Sequence, residues 1–140
     1  IETWLSRKEG IQPSALKRSI QTIADKYLSM VRNEKGLTKA LRELRRIEGE
    51  MLPQMSAWAE DPIGRAVNLR DDIEADGKME LAKMSATAAM YRKESRGGYY
   101  GGHYRSDYPS RDDNNWLKNI ILKREQGAIS CYTAPPVMEG

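Results

Sequence analysis

The residues of this chain best able to do chemistry lie in one short region, between positions 92 and 108. Residues 92–97 read Arg-Lys-Glu-Ser-Arg-Gly, and His103 and Arg105 follow after a stretch rich in glycine and tyrosine. One interpretation is structural, because cations beside the C-terminal carbonyls of a helix are favourable and Gly97 can adopt the left-handed conformation that ends a helix. The functional interpretation is that Arg96, His103 and Arg105 face an anionic group or a partner subunit.

Four tyrosines in the same region raise a second possibility, the binding of single-stranded nucleic acid. In such sites aromatic rings stack on bases while cations hold the phosphates. Loop tyrosines more often pack their rings against their own domain, so no nucleic acid is expected as a partner. The four residues are Tyr99, Tyr100, Tyr104 and Tyr108.

Residue type and spacing exclude several kinds of site. Residues 97–102 follow no predicted strand and precede no Lys-Ser or Lys-Thr at the spacing of a phosphate-binding loop. Residues 112–115 lack the alternating carboxylates of a calcium loop and fit the start of a helix better. Cys131 is the only cysteine and His103 the only histidine, which leaves neither an internal disulfide nor the usual ligands of a zinc site. We therefore predict no catalytic, cofactor-binding or metal-binding residue in this chain.

The composition is that of a water-soluble globular domain. The 140 residues suffice for one domain, with 39% apolar and 31% charged residues. A net charge of +3, from 23 basic and 20 acidic side chains, is too weak to indicate a nucleic-acid partner. No apolar run approaches the length of a membrane span, and the first residues do not resemble a secretory signal. The lone thiol fits a reducing, cytoplasmic setting, and the missing initiator Met suggests processing or a start within a longer protein.

Two helices are predicted after a leading segment, residues 1–12. Pro13 opens the first, because proline fits the first helical turn, and this helix is predicted to reach about Arg32. Asn33 is predicted to cap the second helix, which Pro53 ends or kinks. Their apolar faces recur at three- and four-residue steps: Leu16, Ile20, Ile23, Tyr27 and Met30 in the first, and Leu37, Ala40, Leu41, Leu44, Ile47 and Met51 in the second.

A third helical stretch is predicted from about Arg65 to Ser95, after an Asp61-Pro62 turn and with an interruption at Gly77. The small residues at positions 85–89 would let another backbone approach closely. Because each helix must bury one apolar stripe, the predicted fold is mainly α, a three-helix bundle over residues 13–95 that resembles a spectrin repeat. The stripe of the third helix consists of Val67, Leu69, Ile73, Leu81, Met84, Ala88 and Tyr91.

Residues 96–140 are predicted to add a long Gly/Tyr loop and a small C-terminal β-hairpin to the same domain. Asp112 can cap a short helical turn that leads to Trp116. Two β-rich runs then flank a turn signal: residues 120–122 and 128–132 around Gln126-Gly127, ended by Pro135-Pro136.

Several motifs, in order and with their spacing, resemble the C-terminal domain of the succinate dehydrogenase and fumarate reductase flavoproteins. L-aspartate oxidase and adenylylsulfate reductase belong to the same broad group. The resemblance covers about residues 14–136. It rests on Val31-Arg32-Asn33-Glu34 before Gly36-Leu37, on Arg92-Lys93-Glu94-Ser95-Arg96-Gly97, on His103-Tyr104-Arg105-Ser106-Asp107-Tyr108-Pro109, and on Asp113-Asn114-Asn115-Trp116-Leu117-Lys118.

The resemblance implies a helical domain that follows an FAD-binding domain and a capping domain, which hold the FAD and a small dicarboxylate. This chain then holds no cofactor of its own, is not catalytic alone, and supports the fold of the flavoprotein. An iron–sulfur subunit is a further implied partner, and the complex would be cytoplasmic or peripheral to the inner face of a membrane. The candidates for an interdomain or intersubunit contact are Arg96, His103, Arg105 and Asp107.

One feature departs from the family pattern. A single residue usually separates the Glu-Ser-Arg-Gly motif from the histidine, whereas here residues 98–102 occupy that gap. The tyrosine-rich insertion is similar to the adenylylsulfate reductase branch.

Two other functions are compatible with the residues: a free-standing helical interaction module and a small RNA-binding protein. A domain of a larger protein should expose an apolar face where its neighbours dock, whereas a free module should be polar all round or form a closed dimer. Salt-dependent RNA binding would distinguish the third possibility.

Overall fold

The computed structural model describes residues 6–97 and 102–137. Three long helices dominate it, joined by irregular segments and followed by a β-hairpin. In chain order the elements are α1 (Pro13–Tyr27), β1 (Val31–Arg32), α2 (Glu34–Arg46), a π-helical turn (Ile47–Met51), a 3-10 turn (Leu52–Gln54), α3 (Pro62–Tyr91), β2 (Tyr104–Arg105), α4 (Asp113–Trp116), β3 (Asn119–Glu125) and β4 (Ala128–Ala134).

The helices α1, α2 and α3 pack on one another around a single apolar core, as the bundle prediction requires. Asn33 caps α2 as predicted, since its side chain accepts a hydrogen bond from the Gly36 N–H at 2.8 Å. Pro53 lies in the 3-10 turn at which the second helical region ends. The buried apolar residues of the bundle are Leu16, Ile20, Leu37, Ala40, Leu44, Ile47, Ala75, Met79, Ala82, Ala86 and Ala89.

The first helix is shorter than predicted, because it ends at Tyr27 and not near Arg32. Arg32 instead belongs to β1 and turns its guanidinium back to the carbonyls of Leu28 and Ser29 at 3.0 and 2.9 Å. Met30 was predicted on the buried face, but it is 61% exposed. A strand pairing made by residues far along the chain therefore overrides the local helical pattern.

The third helix buries a different face from the predicted one. It runs unbroken through Gly77 and begins at Pro62, where Asp61 accepts a hydrogen bond from Gly64 and acts as the N-cap. The predicted end at Ser95 is also wrong, since α3 stops at Tyr91. Its inner face is mostly alanine, which lets α1 and α2 approach closely, while its bulky stripe points outward. The exposed members are Val67, Leu69, Ile73, Leu81, Met84 and Tyr91.

The predicted hairpin is confirmed. Strands β3 and β4 pair antiparallel with Ile121 opposite Tyr132 and Leu122 opposite Cys131. Both turn residues, Gln126 (φ 49°) and Gly127 (φ 85°), are left-handed, as the tightest hairpin turns require. The hairpin lies against α3 and is tied to it by an ion pair between Arg124 and Glu80.

The short helix α4 starts where the sequence predicted it. The Asp112 carboxylate accepts a hydrogen bond from the Asn115 N–H at 3.1 Å, which makes Asp112 the N-cap. None of the described helices has the length and continuous apolar character needed to cross a lipid bilayer.

Two leucines of α2 give a direct test of the core. Leu44 is fully buried, whereas Leu41 lies only half-buried at the edge of the bundle. Leu44→Ala is expected to lower the free energy of unfolding by roughly 2–5 kcal/mol, because it leaves a cavity that the neighbours cannot refill. Leu41→Ala should lower it by clearly less. Urea denaturation of both variants would contradict this packing if Leu41→Ala proved the more damaging change.

Candidate functional site

A short parallel pairing of two strands holds the loop that contains His103 and Arg105 against the bundle. Strand β1 pairs with β2, with Val31 opposite Tyr104 and Arg32 opposite Arg105. The Ser106 N–H continues the pairing by donating to the Arg32 carbonyl at 2.9 Å. The segment between α1 and α2 therefore positions residues more than seventy positions later in the chain.

Arg105 is the centre of the site and is completely buried. Its guanidinium forms a two-point ion pair with Asp107, with both N···O distances at 2.7 Å. The remaining nitrogen donates to the carbonyls of Ala89 at 2.7 Å and Arg92 at 3.2 Å, where α3 ends. Tyr108 places its ring 5.0 Å from the guanidinium carbon.

The Arg105–Asp107 pair joins the ends of two helices. Asp107 also accepts a hydrogen bond from the Glu34 N–H, in the first turn of α2, at 2.8 Å. The cation thus lies at the partly negative C-terminus of α3 and the anion at the partly positive N-terminus of α2, so each charge is favoured by a helix dipole. The hydrogen bonds from Arg105 lower the pKa of Asp107 far below its usual range despite its partial burial.

A second buried carboxylate organises the other side of the site. Glu94 is fully buried and accepts hydrogen bonds from Arg92, from Arg96 at 2.7 Å and from the Asp112 N–H at 2.9 Å. Burial opposes its ionisation, but the hydrogen bonds from Arg96, from the Asp112 backbone and from Arg92 prevail, and the pKa of Glu94 lies below its ordinary value. Arg96 also reaches Asp113 at 2.7 Å.

Arg92 extends this network to the start of the hairpin. Its guanidinium donates to the carbonyls of Trp116 at 3.0 Å and Lys118 at 2.7 Å, and lies 5.6 Å from the Trp116 ring centre. Trp116 in turn meets the ring of Tyr91 edge-on, with ring centres 5.9 Å apart. Arg92 and Glu94 together therefore connect the end of α3, the loop and α4.

His103 lies between three arginines and is half-buried. Its Nδ1 is 3.2 Å from the Arg32 guanidinium, and its Nε2 is 3.3 Å from the Arg92 carbonyl. An arginine can only donate, so Nδ1 accepts and Nε2 carries the proton in the neutral ring. Burial lowers the pKa of His103, and the charges of Arg32, Arg105 and Arg92 lower it further, while the hydrogen bond to the Arg92 carbonyl opposes this.

Gly97 has the left-handed backbone that the sequence predicted (φ +83°), but for another reason. It lies six residues beyond the end of α3 and therefore does not cap it. Arg96 and His103 exchange two backbone hydrogen bonds of 2.7 Å, which closes the Gly/Tyr loop. A Cβ atom at Gly97 would come within 2.9 Å of the Gly102 Cα, so the closed loop requires glycine here.

The four predicted contact residues lie close together but differ in accessibility. Arg105 is enclosed within the domain, Asp107 and Arg96 keep 29% and 24% of their side chains exposed, and His103 is half-buried. Glu94 was not among the predicted residues, although a carboxylate flanked by arginines two positions away on either side is a readable sign of an ion-pair cluster.

Of the four tyrosines, Tyr99 and Tyr100 lie outside the described residues. Tyr108 contacts the Arg105 guanidinium and lies 6.0 Å from the Lys93 ammonium, whereas Tyr104 is 45% exposed. The ring of Tyr108 thus packs on its own domain.

The ion pairs and hydrogen bonds of this arrangement link the loop to the ends of α2 and α3. Among the described residues, every buried side-chain nitrogen and oxygen has a hydrogen-bond partner. In the same part of the chain no three His, Cys, Asp or Glu side chains gather as a metal site would require. Because satisfied buried networks rigidify their surroundings, this one fixes the loop and the hairpin against the ends of α2 and α3.

Lowering the pH is expected to destabilise the fold through His103. A histidine whose folded pKa lies below its unfolded value of about 6.5 stabilises the protein above that pH, and this stabilisation is lost as the pH falls. The free energy of unfolding should therefore decrease from pH 7.5 to 5.5, and the decrease should be smaller in His103→Gln. Urea denaturation at several pH values measures it, and an identical slope in both proteins would contradict the neutral-ring assignment.

The known proteins that this chain resembles in sequence are described as flavoproteins or FAD-dependent oxidoreductases. The model of a family described as fumarate reductase flavoprotein C-terminal matches residues 17–139. A protein of Methanocaldococcus jannaschii described as an uncharacterized FAD-dependent oxidoreductase is 35% identical over 97 residues, which cover 69% of this chain and 16% of that relative. The succinate dehydrogenase flavoprotein subunit of Coxiella burnetii is 27% identical over 126 residues, covering 89% of this chain and 20% of that relative.

Solved structures share the fold. Quinol fumarate reductase of E. coli matches with a TM-score of 0.79 at 20% identity, over 94% of this chain and 22% of that chain. Adenylylsulfate reductase of Archaeoglobus fulgidus matches with a TM-score of 0.79 at 26% identity, over 94% of this chain and 20% of that chain. The chain therefore spans about a fifth of the length of the proteins that it matches.

Proposed function

The chain belongs to the family of fumarate reductase flavoprotein C-terminal domains, and we propose that it serves a flavoprotein by docking α3 onto the domains that hold the flavin. It is a C-terminal helical domain of the succinate dehydrogenase and fumarate reductase type of FAD-dependent flavoprotein. Its own contribution is structural, because the buried polar network is satisfied within the described chain.

The outer face of α3 is the observation that carries this proposal. Ile63, Ile73 and Leu81 are 77%, 66% and 64% exposed. Side chains three, four and seven positions apart share one side of a helix, so Ile73, Met84 and Tyr91 line up opposite the buried alanines. Gly77 and Ala88 lie between them and would let a second surface come close to the helix backbone.

An apolar stripe of this length favours a domain that docks onto a neighbour over a free-standing helical module. Monomeric proteins rarely expose large contiguous apolar surfaces, and such surfaces mark interfaces. The stripe extends over most of a 30-residue helix, which is about 45 Å long at 1.5 Å per residue. A neighbouring domain that covered it would remove most of the large exposed apolar side chains of α3 from water.

Because we propose that α3 docks onto other domains, we also propose where the activity of the whole protein resides. FAD and the substrate, a small dicarboxylate or a similar anion, bind in the preceding FAD-binding and capping domains, and this chain contributes no catalytic residue. An iron–sulfur subunit is the proposed electron-transfer partner. Of the four contact candidates, Arg96, His103 and Asp107 are at least partly exposed, and we assign them to the rim of the interdomain contact.

The proposal is tested by placing charge on the stripe in the full-length polypeptide. Ile73→Glu combined with Leu81→Glu is expected to undock the domain, because two carboxylates would have to be buried in an apolar interface. Limited proteolysis should then release the helical domain at least tenfold faster. The FAD content per polypeptide, read from the flavin absorbance of the purified protein, should fall.

A matched control adds the same charge elsewhere. Ser14→Glu combined with Gln21→Glu changes two exposed positions of α1 and should leave both the proteolysis rate and the flavin content as in the wild type. Equal behaviour of the two double variants would contradict docking through α3.

A further inference from the structure

The outer face of α2 is a continuous cationic ridge. Cations at positions 35, 39, 42 and 46 follow each other at steps of three and four residues, so they share the side of the helix that faces away from the core. Arg45 stands beside them, and all five side chains are exposed. We call this set the α2 ridge: Lys35, Lys39, Arg42, Arg45 and Arg46.

Most of this charge has no acidic counterpart in the described parts of the chain. Arg46 pairs with Glu43 and Glu50 at 3.2 Å each, and Arg42 approaches Glu43 only at 3.5 Å. Lys35, Lys39 and Arg45 form no ion pair with any residue that the structure describes. The ridge therefore has more positive charge than its own helix balances, although the chain as a whole has a net charge of only +3.

An apolar pocket opens along one flank of the ridge, where α2 meets the last turns of α3. Its volume is about 340 Å³, near the lower end of the range of about 300–1,000 Å³ in which ligand pockets fall. Leu41 and Met90 supply its apolar wall, Thr38 supplies a hydroxyl, and Arg42 and Arg45 stand at its edge. No acidic residue lines it.

We propose that the α2 ridge and this pocket bind an acidic peptide segment of a partner protein, with one apolar side chain of that segment inserted between Leu41 and Met90. Carboxylates on both sides of the inserted residue would pair with Arg42 and Arg45, since guanidinium groups bind carboxylates through two parallel hydrogen bonds. Lys35 and Lys39 would attract further acidic residues along the helix.

The pocket favours a peptide over the other anionic partners that a cationic ridge could bind. A lipid surface would call for large apolar side chains along the crest of the ridge, where the structure has only lysines and arginines. Single-stranded nucleic acid would call for aromatic rings on which bases stack, and no aromatic residue lines the pocket. A concave apolar pocket between two arginines fits a single side chain of an acidic chain.

This surface is separate from the docking face of α3. Each helix of the bundle buries one side against the other two, so the outer faces of α2 and α3 point in different directions. Of the five residues that line the pocket only Met90 belongs to α3, and it is not part of the exposed apolar stripe of that helix. The two proposals can therefore fail independently.

The experiment selects peptides on the full-length protein that carries this chain. Random 12-residue peptides displayed on phage are the probe, and the selected sequences are expected to carry at least three Asp or Glu residues around a Leu, Ile or Met. A selected peptide, labelled with a fluorophore, is then titrated by anisotropy. Arg42→Glu combined with Arg45→Glu should weaken its binding at least tenfold.

Two further variants separate charge from shape. Thr38→Trp keeps every charge but fills the pocket and should also weaken binding about tenfold. Arg18→Glu combined with Lys78→Glu makes the same change in net charge at exposed positions of α1 and α3 and should bind the peptide as the wild type does. Thermal unfolding followed by circular dichroism checks that all three variants are folded.

Several results would overturn the proposal. Selected peptides without an acidic excess would do so, as would binding that survives the reversal of Arg42 and Arg45 or falls equally in the control. Tighter binding to phosphatidylglycerol vesicles or to an oligonucleotide than to any selected peptide would assign the α2 ridge to a membrane or to nucleic acid instead.

Discussion

Arg105→Ala is expected to lower the free energy of unfolding by about 3–5 kcal/mol, the range observed when one partner of a buried ion pair is removed. Arg105 is fully enclosed, so the change leaves Asp107 without its counter-ion and the last carbonyls of α3 without a donor. The loss should appear in urea denaturation of the full chain at neutral pH. Near pH 7 Asp107 is charged in the wild type, since hydrogen bonds from Arg105 and from the Glu34 backbone hold its pKa well below its usual range.

Two further variants show which property of Arg105 is responsible for the expected loss of stability. Arg105→Lys keeps the positive charge but cannot form the two-point contact with Asp107 or reach the Ala89 carbonyl at the same time, so it should recover only part of the loss. Arg111→Ala removes an exposed arginine whose one ion-pair partner among the described residues is Asp113, and it should change stability little. If Arg105→Ala were as mild as Arg111→Ala, the guanidinium would not be holding the two helix ends together.

Glu94→Ala is the second substitution with a large expected effect, again about 3–5 kcal/mol. It leaves Arg92 and Arg96 facing each other without a carboxylate and removes the acceptor of the Asp112 N–H. Since Arg92 also holds the Trp116 and Lys118 carbonyls, α4 and the start of the hairpin should loosen as well. Hydrogen exchange of the backbone amides around α4 should therefore accelerate well before the bundle unfolds.

The control for Glu94 lies on the hairpin. Glu125 pairs with Lys123 at 2.7 Å, but both side chains are more than half exposed, so Glu125→Ala should leave the exchange around α4 unchanged. Glu94→Gln keeps the shape of the side chain but not its charge, and it should fall between the wild type and Glu94→Ala. A stability of Glu94→Ala close to that of the wild type would mean that Arg92 and Arg96 are solvated without their carboxylate.

Most structural features that depend on residues close together in the sequence were predicted correctly. Asn33 and Asp112 cap their helices because a short side-chain oxygen reaches an N–H three residues ahead, and this needs no distant partner. The hairpin turn at Gln126-Gly127 depends on two residues that tolerate a left-handed backbone. Asp61-Pro62 is an equally local signal, a cap followed by proline in the first turn, and the prediction of a turn outside the helix is wrong there.

The candidate site was found in the sequence only as a cluster of charged residue types. The spacing of Arg96, His103 and Arg105 showed that they lie near one another. It did not show that Arg105 turns inward to the end of α3, because its acceptors are backbone carbonyls 13 and 16 positions away. The importance of Glu94 likewise depends on the Asp112 N–H, which only the folded loop brings within reach.

Residue periodicity, short-range hydrogen bonds and motifs in a set order are readable in the sequence, and they were enough to predict the three helices, the hairpin, the caps at Asn33 and Asp112 and the family. The end of α1 could not be read from the local sequence, since β1 pairs with a strand from a distant part of the chain. The same holds for the side of α3 that is buried. Hydrophobicity favours burying the stripe of Ile73, Leu81 and Tyr91, yet three helices pack more closely through alanines, so the bulky side chains are left for another surface.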